Sequence, residues 1–235
     1  MICLATVSRG FSKEREMLNN YRAVASKWEE QMAEFDARNA TEKRGKDVVL
    51  FIGSSSIRLW ETIEEDLAPV PVIQRGFGGA KISDVAVYAD RLISPHDCGS
   101  VVFFIGGNDV WGNPDDKSPE EIRWFADYLI KKVRDAHGDI PVFFIEITPS
   151  PARIDLTPLV NDLNAALEAA CKNNAGVTFI PTRSHFLKDD VPDESLFAED
   201  QLHLNRKGYE LWTKIITPFI SPPAPEAEAG AEKVK

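Results

Sequence analysis

The 235-residue sequence has few of the residues that bind metals or form cross-links, with only three cysteines and four histidines. Cys3, Cys98 and Cys171 are widely spaced and odd in number, so they match neither a zinc-binding pattern nor a disulfide framework. Nothing in this cysteine usage requires an oxidising compartment. The chain also lacks any cluster of Lys and Arg, and its net charge is −10. This charge argues against nucleic acid as a partner.

Long apolar runs are missing as well. No segment approaches the roughly 20 apolar residues that a membrane-spanning helix needs, so we expect a soluble protein with no membrane span. The N-terminal MICLATVSRG is a poor signal peptide, because no positive charge precedes its short apolar run and no clear cleavage site follows. The sequence leaves open whether the protein is cytoplasmic or exported with a signal absent from this chain. It also leaves open whether the protein is a homo-oligomer.

The composition itself is that of a globular protein, with 43% hydrophobic and 27% charged residues. A chain of this length buries one full core, so we predict one main domain over residues 46–220. Apolar residues spaced three or four apart over 12–38 predict a helical segment, residues 1–45, packed on that domain rather than forming a dimeric coil. The proline-containing SPPAPEAEAGAEKVK has no periodicity and predicts a disordered tail over 221–235.

Short apolar runs that end in glycine or polar turns follow residue 46 and predict buried strands. There are five: DVVLFIG from 47, VPVIQRG from 70, SVVFFIGG from 100, IPVFFIEIT from 140 and GVTFIPT from 176. Helices are predicted at 57–67, 81–93, 157–174 and 206–217, and from a capping box at Ser118, Pro119 and Glu121 to Gly138. Buried strands alternating with helices predict a three-layer α/β/α sandwich around a five-stranded parallel sheet.

Four polar or glycine-rich loops follow the predicted strands. They are GSSS (53–56), RGFGG (75–79), GGND (106–109) and DQLH (200–203). Because the carboxyl ends of parallel strands share one edge of a sheet, and ligands bind at that edge, we expect these loops to meet there. His96 and His137 precede strands and are predicted at the opposite edge.

A serine in GSSS can act as a nucleophile only if a histidine base lies at the same edge. His203 suits this role because the Asp200 carboxylate, one turn of chain earlier, can orient its ring, although His185 also follows the fifth strand and stays an alternative. An oxyanion would need fixed donors, which the Gly79 amide and the Asn108 side chain can provide. Each feature alone is more typical of turns and caps than of a catalytic site.

Taken in order, these loops resemble the four sequence blocks of the SGNH hydrolases, the GDSL-type esterases and lipases. FIGSSSI resembles the strand followed by GDS, RGFGG the glycine of the second block, GGND the GxND block and DQLH the DxxH block. The resemblance covers residues 47–217. It implies a flavodoxin-like sandwich that uses no cofactor and no metal.

The resemblance also implies the roles of individual residues. Ser55 would be the nucleophile, with Asp200 and His203 completing the triad, and the oxyanion hole would consist of the Ser55 amide, the Gly79 amide and the Asn108 side chain. Ser54 stands where the family has the aspartate of GDS; that aspartate is not the catalytic acid, so the departure bears on loop rigidity more than on activity. The GSSSI form and ITPSPAR (147–153) are similar to a bacterial subgroup of GDSL-like acylhydrolases, whose substrates are poorly defined.

These features predict a serine esterase that hydrolyses small carboxylic esters through an acyl-enzyme. No long apolar insertion after strands one to three could form a lid or channel for a fatty chain, which favours a short acyl group such as acetyl on a carbohydrate or other polar alcohol. Arg75, Trp111 and Arg153 follow strand ends and are predicted to contact the substrate; the alternatives are a salt bridge, a loop anchor and a cap, respectively.

Two other functions fit part of the sequence. A flavodoxin-like FMN-binding protein would use the serine-rich loop to hold a phosphate at a helix N-terminus, but GGND and DQLH would then have no role. A non-catalytic carbohydrate-binding module would share the fold, but it has no need of a matched Ser, His and Asp.

Overall fold

The structure, a computed structural model, describes residues 16–42 and 45–221. The predictions for residues 1–15, including Cys3, and for the tail from residue 222 lie outside these ranges. Within them, none of the helices combines the length and the apolar character needed to cross a bilayer.

A five-stranded parallel sheet forms the centre of the molecule, as predicted. Its strands are β1 (Val49–Gly53), β2 (Val72–Gly76), β3 (Ser100–Phe104), β4 (Val142–Ile145) and β5 (Val177–Ile180). They are arranged in the order β2-β1-β3-β4-β5, and all neighbours are parallel. The chain runs from β1 outward to β2 and then back to β3, so the loops of β1 and β3 diverge at the switch point where open parallel sheets bind ligands.

Helices cover both faces of this sheet. They are α1 (described from residue 16 to 25), α2 (Glu29–Asn39), α3 (Ser55–Arg58), α4 (Ile63–Asp66), α5 (Ile82–Val87), α6 (Ala89–Ile93), α7 (Pro119–His137), α8 (Thr157–Lys172) and α9 (Arg206–Ile220). Short 3-10 turns lie at Ser26–Trp28, Gly107–Asp109, Pro151–Leu156, Arg183–His185 and Glu194–Leu196. A small antiparallel hairpin pairs β6 (Leu187–Lys188) with β7 (Val191–Pro192).

Two hydrophobic cores lie on the two sides of the sheet. Helices α1, α2 and α5 to α8 contribute to the first core, and α3, α4 and α9 contribute to the second. The N-terminal helices bury Leu18, Ala25, Met32 and Phe35 in the first core, so this segment packs on the domain. The three-layer sandwich predicted from the sequence is confirmed.

The long helix predicted from Ser118 is present, with the predicted cap. The Ser118 hydroxyl accepts a hydrogen bond from the Glu121 amide at 3.2 Å, and the Glu121 carboxylate accepts one from the Ser118 amide at 2.9 Å. Pro119 occupies the first turn, and Gly138 ends the helix with a φ of +71°, a conformation that favours glycine.

Three other predicted helices are interrupted. The helix over 12–38 tightens into a 3-10 turn at Ser26–Trp28, where the Ser26 hydroxyl bonds the Ala23 carbonyl. The segments 57–67 and 81–93 each divide into two short helices. At the first break the Trp60 side chain is fully buried, and at the second the Tyr88 hydroxyl donates a hydrogen bond to the Ala25 carbonyl. Tertiary contacts therefore override the local pattern.

The edge strand β5 also differs from the prediction of five buried strands. Only Ile180 in it is buried, because the strand has a neighbour on one side alone. In contrast, every residue of β1 and β3 is buried. The centre of the sheet is therefore a rigid support for the loops that follow these two strands.

Candidate active site

Ser55 lies at the point where β1 becomes α3, and its hydroxyl faces the ring of His203. The Ser55 Oγ is 2.9 Å from the Nε2 atom of His203, and the Nδ1 atom of the same ring is 2.5 Å from the Asp200 Oδ2. Since a carboxylate only accepts, Nδ1 donates to Asp200 and Nε2 is left to accept from the serine hydroxyl. Such a chain of contacts can activate a serine, because one ring nitrogen can take the hydroxyl proton while the carboxylate orients the ring.

The DQLH loop folds around the Asp200 carboxylate. Its Oδ1 accepts hydrogen bonds from the Leu202 and His203 amides, both at 3.0 Å, and Gln201 between them takes a positive φ of 55°. Burial disfavours the charged form of Asp200, but the bonds from the His203 ring and the two amides outweigh it and lower the pKa of Asp200 to about 2. The carboxylate is therefore ionised at neutral pH and available to stabilise an imidazolium.

Helix α9 ties this loop to the helix that carries the nucleophile. Asn205 caps α9 by accepting from the Gly208 amide at 3.1 Å, and the Tyr209 hydroxyl one turn later donates to the Ser56 carbonyl at 2.9 Å. The Tyr209 ring stacks on Trp60 with a centroid separation of 5.5 Å. The base and the nucleophile are thus held together by a buried aromatic contact as well as by their own hydrogen bond.

The other three histidines do not contact Ser55. His185 lies in the 3-10 turn after β5 and is exposed, so the alternative base considered from the sequence is not the ring at the serine. His137, at the end of α7, contacts the Ile93 carbonyl at 3.0 Å. His96 precedes β3, and its burial lowers its pKa to about 4.

The GGND turn brings Asn108 to the same cleft as Ser55. Its side-chain Nδ2 donates to the Ala80 carbonyl at 3.1 Å, which joins the GGND turn to the glycine-rich turn after β2. The second Nδ2 hydrogen stays available to a ligand. Gly79, in that glycine-rich turn, has a φ of +78°, which favours glycine at this position. The donor roles of Asn108 and of the Ser55 and Gly79 amides stay predictions.

The next residue, Asp109, is completely buried beneath the turn. Its Oδ2 accepts from the Ile82 amide at the start of α5 at 2.8 Å, and its Oδ1 is 3.9 Å from the Lys117 Nζ. Burial raises the pKa of Asp109 to about 7. Asp109 therefore joins two loops at the site, a structural role that the GxND pattern alone does not reveal.

Among the three predicted substrate contacts, only Arg153 lines the cleft. Its guanidinium bonds the Gly107 carbonyl, lies 3.4 Å from the Asn108 Oδ1 and stacks on the Trp111 ring at 4.2 Å from the centroid. Trp111 is 52% exposed and anchors its indole to the Asn108 carbonyl at 3.1 Å. Trp111 is thus next to the cleft rather than in its wall.

Arg75 does not contact the cleft, and its prediction as a substrate contact needs correction. Its side chain is 0% exposed and bonds Asn39 at 2.8 Å and Glu42 at 2.9 Å, while its guanidinium lies over the Phe35 ring. Alternate residues of a strand point to opposite faces, and Arg75 turns toward the first core. It joins β2 to the N-terminal helices, as in the salt-bridge alternative.

The cleft also contains residues to which the sequence assigns no individual role, although two of them belong to the ITPSPAR segment (147–153). Thr148 and Ser150 come from the loop after β4, and Arg183 from the turn after β5. All three follow strand ends, so the rule that located GSSS and GGND also applies to them. Their hydroxyl and guanidinium groups belong to no sequence block, and only the fold shows that they share a cleft. The cleft measures about 690 Å³, including space open to solvent.

Over residues 16–42 and 45–221, no group of three or more His, Cys, Asp or Glu side chains is arranged to hold a metal ion.

Comparison with known proteins points to one family. A family model described as the GDSL-like Lipase/Acylhydrolase family matches residues 41–211. Among curated proteins, no sequence matches this chain.

Several solved structures share the fold. A protein from Streptococcus pneumonia described as a candidate platelet activating factor is 16% identical, with a TM-score of 0.74 over 89% of this chain and 99% of that chain. A GDSL-like lipase from Bacteroides thetaiotaomicron is 19% identical, with a TM-score of 0.69 over 80% of this chain and 96% of that chain. A carbohydrate esterase family 3 from Talaromyces cellulolyticus is 19% identical, with a TM-score of 0.57 over 74% of this chain and 95% of that chain. At these identities the likeness shows a common fold.

Proposed function

Because this chain belongs to the GDSL-like lipase/acylhydrolase family, we propose that it is a serine esterase that hydrolyses small carboxylic esters. The observation that carries this proposal is the contact of 2.9 Å between the Ser55 Oγ and the His203 Nε2, with Asp200 at the other ring nitrogen. An FMN-binding protein or a carbohydrate-binding module has no use for this arrangement.

The first half-reaction forms an acyl-enzyme. His203 Nε2 takes the proton of Ser55 as Oγ attacks the ester carbonyl, and the carbonyl oxygen becomes an oxyanion. The Ser55 amide, the Gly79 amide and the free Asn108 Nδ2 hydrogen are the donors proposed to bind it. His203 then gives its proton to the leaving alkoxide, and the alcohol departs.

The second half-reaction reverses these roles. Water takes the place of the alcohol, His203 removes one of its protons, and the hydroxide oxygen attacks the acyl carbon. The new tetrahedral intermediate collapses with return of the proton to Ser55 and release of the carboxylic acid. Throughout, the ionised Asp200 keeps Nδ1 protonated and stabilises the imidazolium.

We further propose a short acyl group, such as acetyl, on a carbohydrate or another polar alcohol. The loops that follow β1 and β2 are short, and polar groups of Thr148, Ser150 and Arg153 lie in the wall of the cleft. Fold relatives that include carbohydrate esterase family 3 proteins support this choice.

Covalent labelling tests the proposed nucleophile. A fluorophosphonate is expected to add once to the protein, at Ser55, since among the described residues only this hydroxyl contacts a histidine ring. Intact-mass and peptide analysis would locate the adduct, and Ser55→Ala should abolish both labelling and ester turnover. Ser56→Ala is the matched control and should keep both; an adduct at Ser54 or Ser56 would contradict the assignment.

A series of 4-nitrophenyl esters tests the proposed acyl group. The kcat/KM is expected to be highest for acetate and to fall as the acyl chain lengthens, and acetylated sugars should release acetate. A maximum at chains of about eight carbons or longer would instead indicate a pocket for fatty acyl groups. Ser55→Ala, measured on each ester, separates enzymatic turnover from spontaneous hydrolysis.

A further inference from the structure

The charges around the cleft are one-sided. Its wall includes two guanidinium groups, those of Arg153 and Arg183, while none of the described residues that line it is an aspartate or glutamate. The whole chain has a net charge of −10, so this local excess of positive charge runs against the overall composition. An electropositive cleft in an acidic protein favours anionic ligands over neutral ones.

Arg153 has only neutral partners among the described residues. It bonds the Gly107 carbonyl, approaches the Asn108 Oδ1 and stacks on Trp111, but it forms no salt bridge there. Its Nε is buried without a hydrogen-bond partner. Burial lowers the pKa of Arg153, and no neighbouring carboxylate offsets that effect. Arg153 is half-buried, and even partial burial of a cation without a counter-ion is unfavourable, so the fold holds a charge that a ligand could neutralise.

Arg183 is in a similar position on another loop. Its guanidinium bonds the side-chain carbonyl of Asn161, again a neutral group. The nearby Glu146 Oε2 accepts hydrogen bonds from the backbone amides of Thr182 and Arg183, both at 2.7 Å, rather than from the Arg183 guanidinium. In the described part of the chain, Arg183 has no carboxylate partner within salt-bridge distance.

Two further features of the cleft suit an anion. Thr157, the first residue of the 16-residue helix α8, lines the cleft, and helix N-termini attract negative charge. The Thr148 hydroxyl is buried there without a partner and can donate to a ligand oxygen. The one catalytic carboxylate, Asp200, is already engaged by the His203 ring and two amides.

We propose that Arg153 and Arg183 form an anion subsite, so that the esters cleaved best by this protein carry a carboxylate or phosphate group near the scissile bond. This inference rests on the proposed esterase function of the same cleft and narrows its substrate class. Arg153 also contacts the Asn108 Oδ1, so an anion bound there would lie beside the proposed oxyanion donors.

Matched pairs of esters test the subsite. For the acyl side, 4-nitrophenyl hydrogen succinate is compared with 4-nitrophenyl butyrate, which has the same number of acyl carbons and no charge. For the alcohol side, 4-acetoxybenzoate and 4-acetoxyphenyl phosphate are compared with methyl 4-acetoxybenzoate. At least one anionic ester should exceed its neutral partner by about tenfold in kcat/KM, the effect of one charge-assisted hydrogen bond. The pair that shows the preference identifies the half of the substrate and the kind of anion.

Charge-removing variants locate the effect. Arg153→Gln and Arg183→Gln should each lower the ratio of anionic to neutral kcat/KM several-fold, whereas Lys214→Gln, which removes an exposed charge on α9 outside the cleft, should leave it unchanged. Any displacement of Asn108 by the Arg153 change lowers both rates alike and cancels in the ratio. Arg183→Gln gives an independent measurement on another loop.

The outcomes separate the inference from the proposed function. Neutral and anionic esters cleaved equally well by the wild type, or a ratio that stays the same in both arginine variants, would overturn the anion subsite while ester turnover persists. Absence of turnover of every ester, in a folded protein, would overturn the proposed function and the subsite with it.

Discussion

The two nitrogens of the His203 ring have different partners, and this division suits a base. His203→Ala is expected to abolish nearly all turnover, while His185→Ala should keep most of it, because only His203 contacts Ser55. Steady-state kinetics on 4-nitrophenyl acetate, with circular dichroism to confirm folding, would measure both. Loss of activity in a folded His185→Ala variant would contradict this.

As a proposed oxyanion donor, Asn108 would contribute in the transition state rather than in the bound ground state. Asn108→Ala should lower kcat by about 100-fold or more with little change in KM, since the oxyanion forms only as the reaction proceeds. The measurement is a full Michaelis–Menten curve for wild type and variant. A raised KM with an unchanged kcat would make Asn108 a residue that positions the substrate.

Individual residues could be predicted from the sequence where their position after a strand and a chemical requirement, such as a base for the serine, agreed. In this way the sequence predicts a serine in GSSS and favours His203, the resemblance to the SGNH hydrolases indicates Ser55 within GSSS, and the structure places Ser55 and His203 in contact. Arg75 was misplaced because it lies within β2 rather than after it, and its side chain takes the face of the sheet that carries the first core. Arg183 was missed because its role depends on a cleft that forms only between distant loops.

At the level of elements, Arg75 joins β2 to α2 and to the residues that follow it. Arg75→Gln should lower the free energy of unfolding by about 1–3 kcal/mol, because Glu42 and Asn39 lose hydrogen bonds to a charged group. Urea denaturation measures this loss. The kcat/KM for small esters should stay the same, and a selective rise in KM would restore Arg75 as a substrate contact.

Asp109 connects the GGND turn to the start of α5, and its burial makes stability depend on pH. The folded carboxyl keeps its proton up to about pH 7, whereas the unfolded chain ionises near pH 4. Between these values the unfolded state releases a proton that the folded state holds, so rising pH favours unfolding. The wild type should therefore lose stability relative to Asp109→Asn from about pH 4 to 7, measured by denaturation at each pH. A difference that is constant with pH would mean that Asp109 is ionised throughout.

Element boundaries were harder to predict than element types. The capping box at Ser118 marks the start of α7 because all of its partners lie within one turn of sequence. The break at Tyr88 depends on its hydrogen bond to Ala25 in α1, and the break at Trp60 depends on stacking against Tyr209 in α9 as well as on a bond to the nearby Asp66. No local sequence pattern indicates the contacts with α1 and α9. Local chemistry is readable from the sequence, and contacts between distant segments are not.

At the scale of the whole molecule, the alternation of buried strands and amphipathic helices was sufficient to predict the layers and the parallel sheet. The physical reason is that helices cover both faces of a parallel sheet. Its strands are therefore apolar on both faces, whereas each covering helix is apolar on one face only. The neighbours of each strand, and the side of the sheet on which each helix packs, depend on how the connections cross. These follow only from the folded chain.

The link between α9 and the nucleophile has a consequence for how the protein is made. A ribosome synthesises the chain from its N-terminus, so Ser55 emerges long before Asp200, His203 and Tyr209. Until α9 has been translated and its aromatic side chains have docked, Ser55 lacks its contact with the His203 ring, and the proposed mechanism cannot operate. If the protein is the proposed esterase, the onset of hydrolysis in a cell-free translation reaction would report, in real time, the docking of α9.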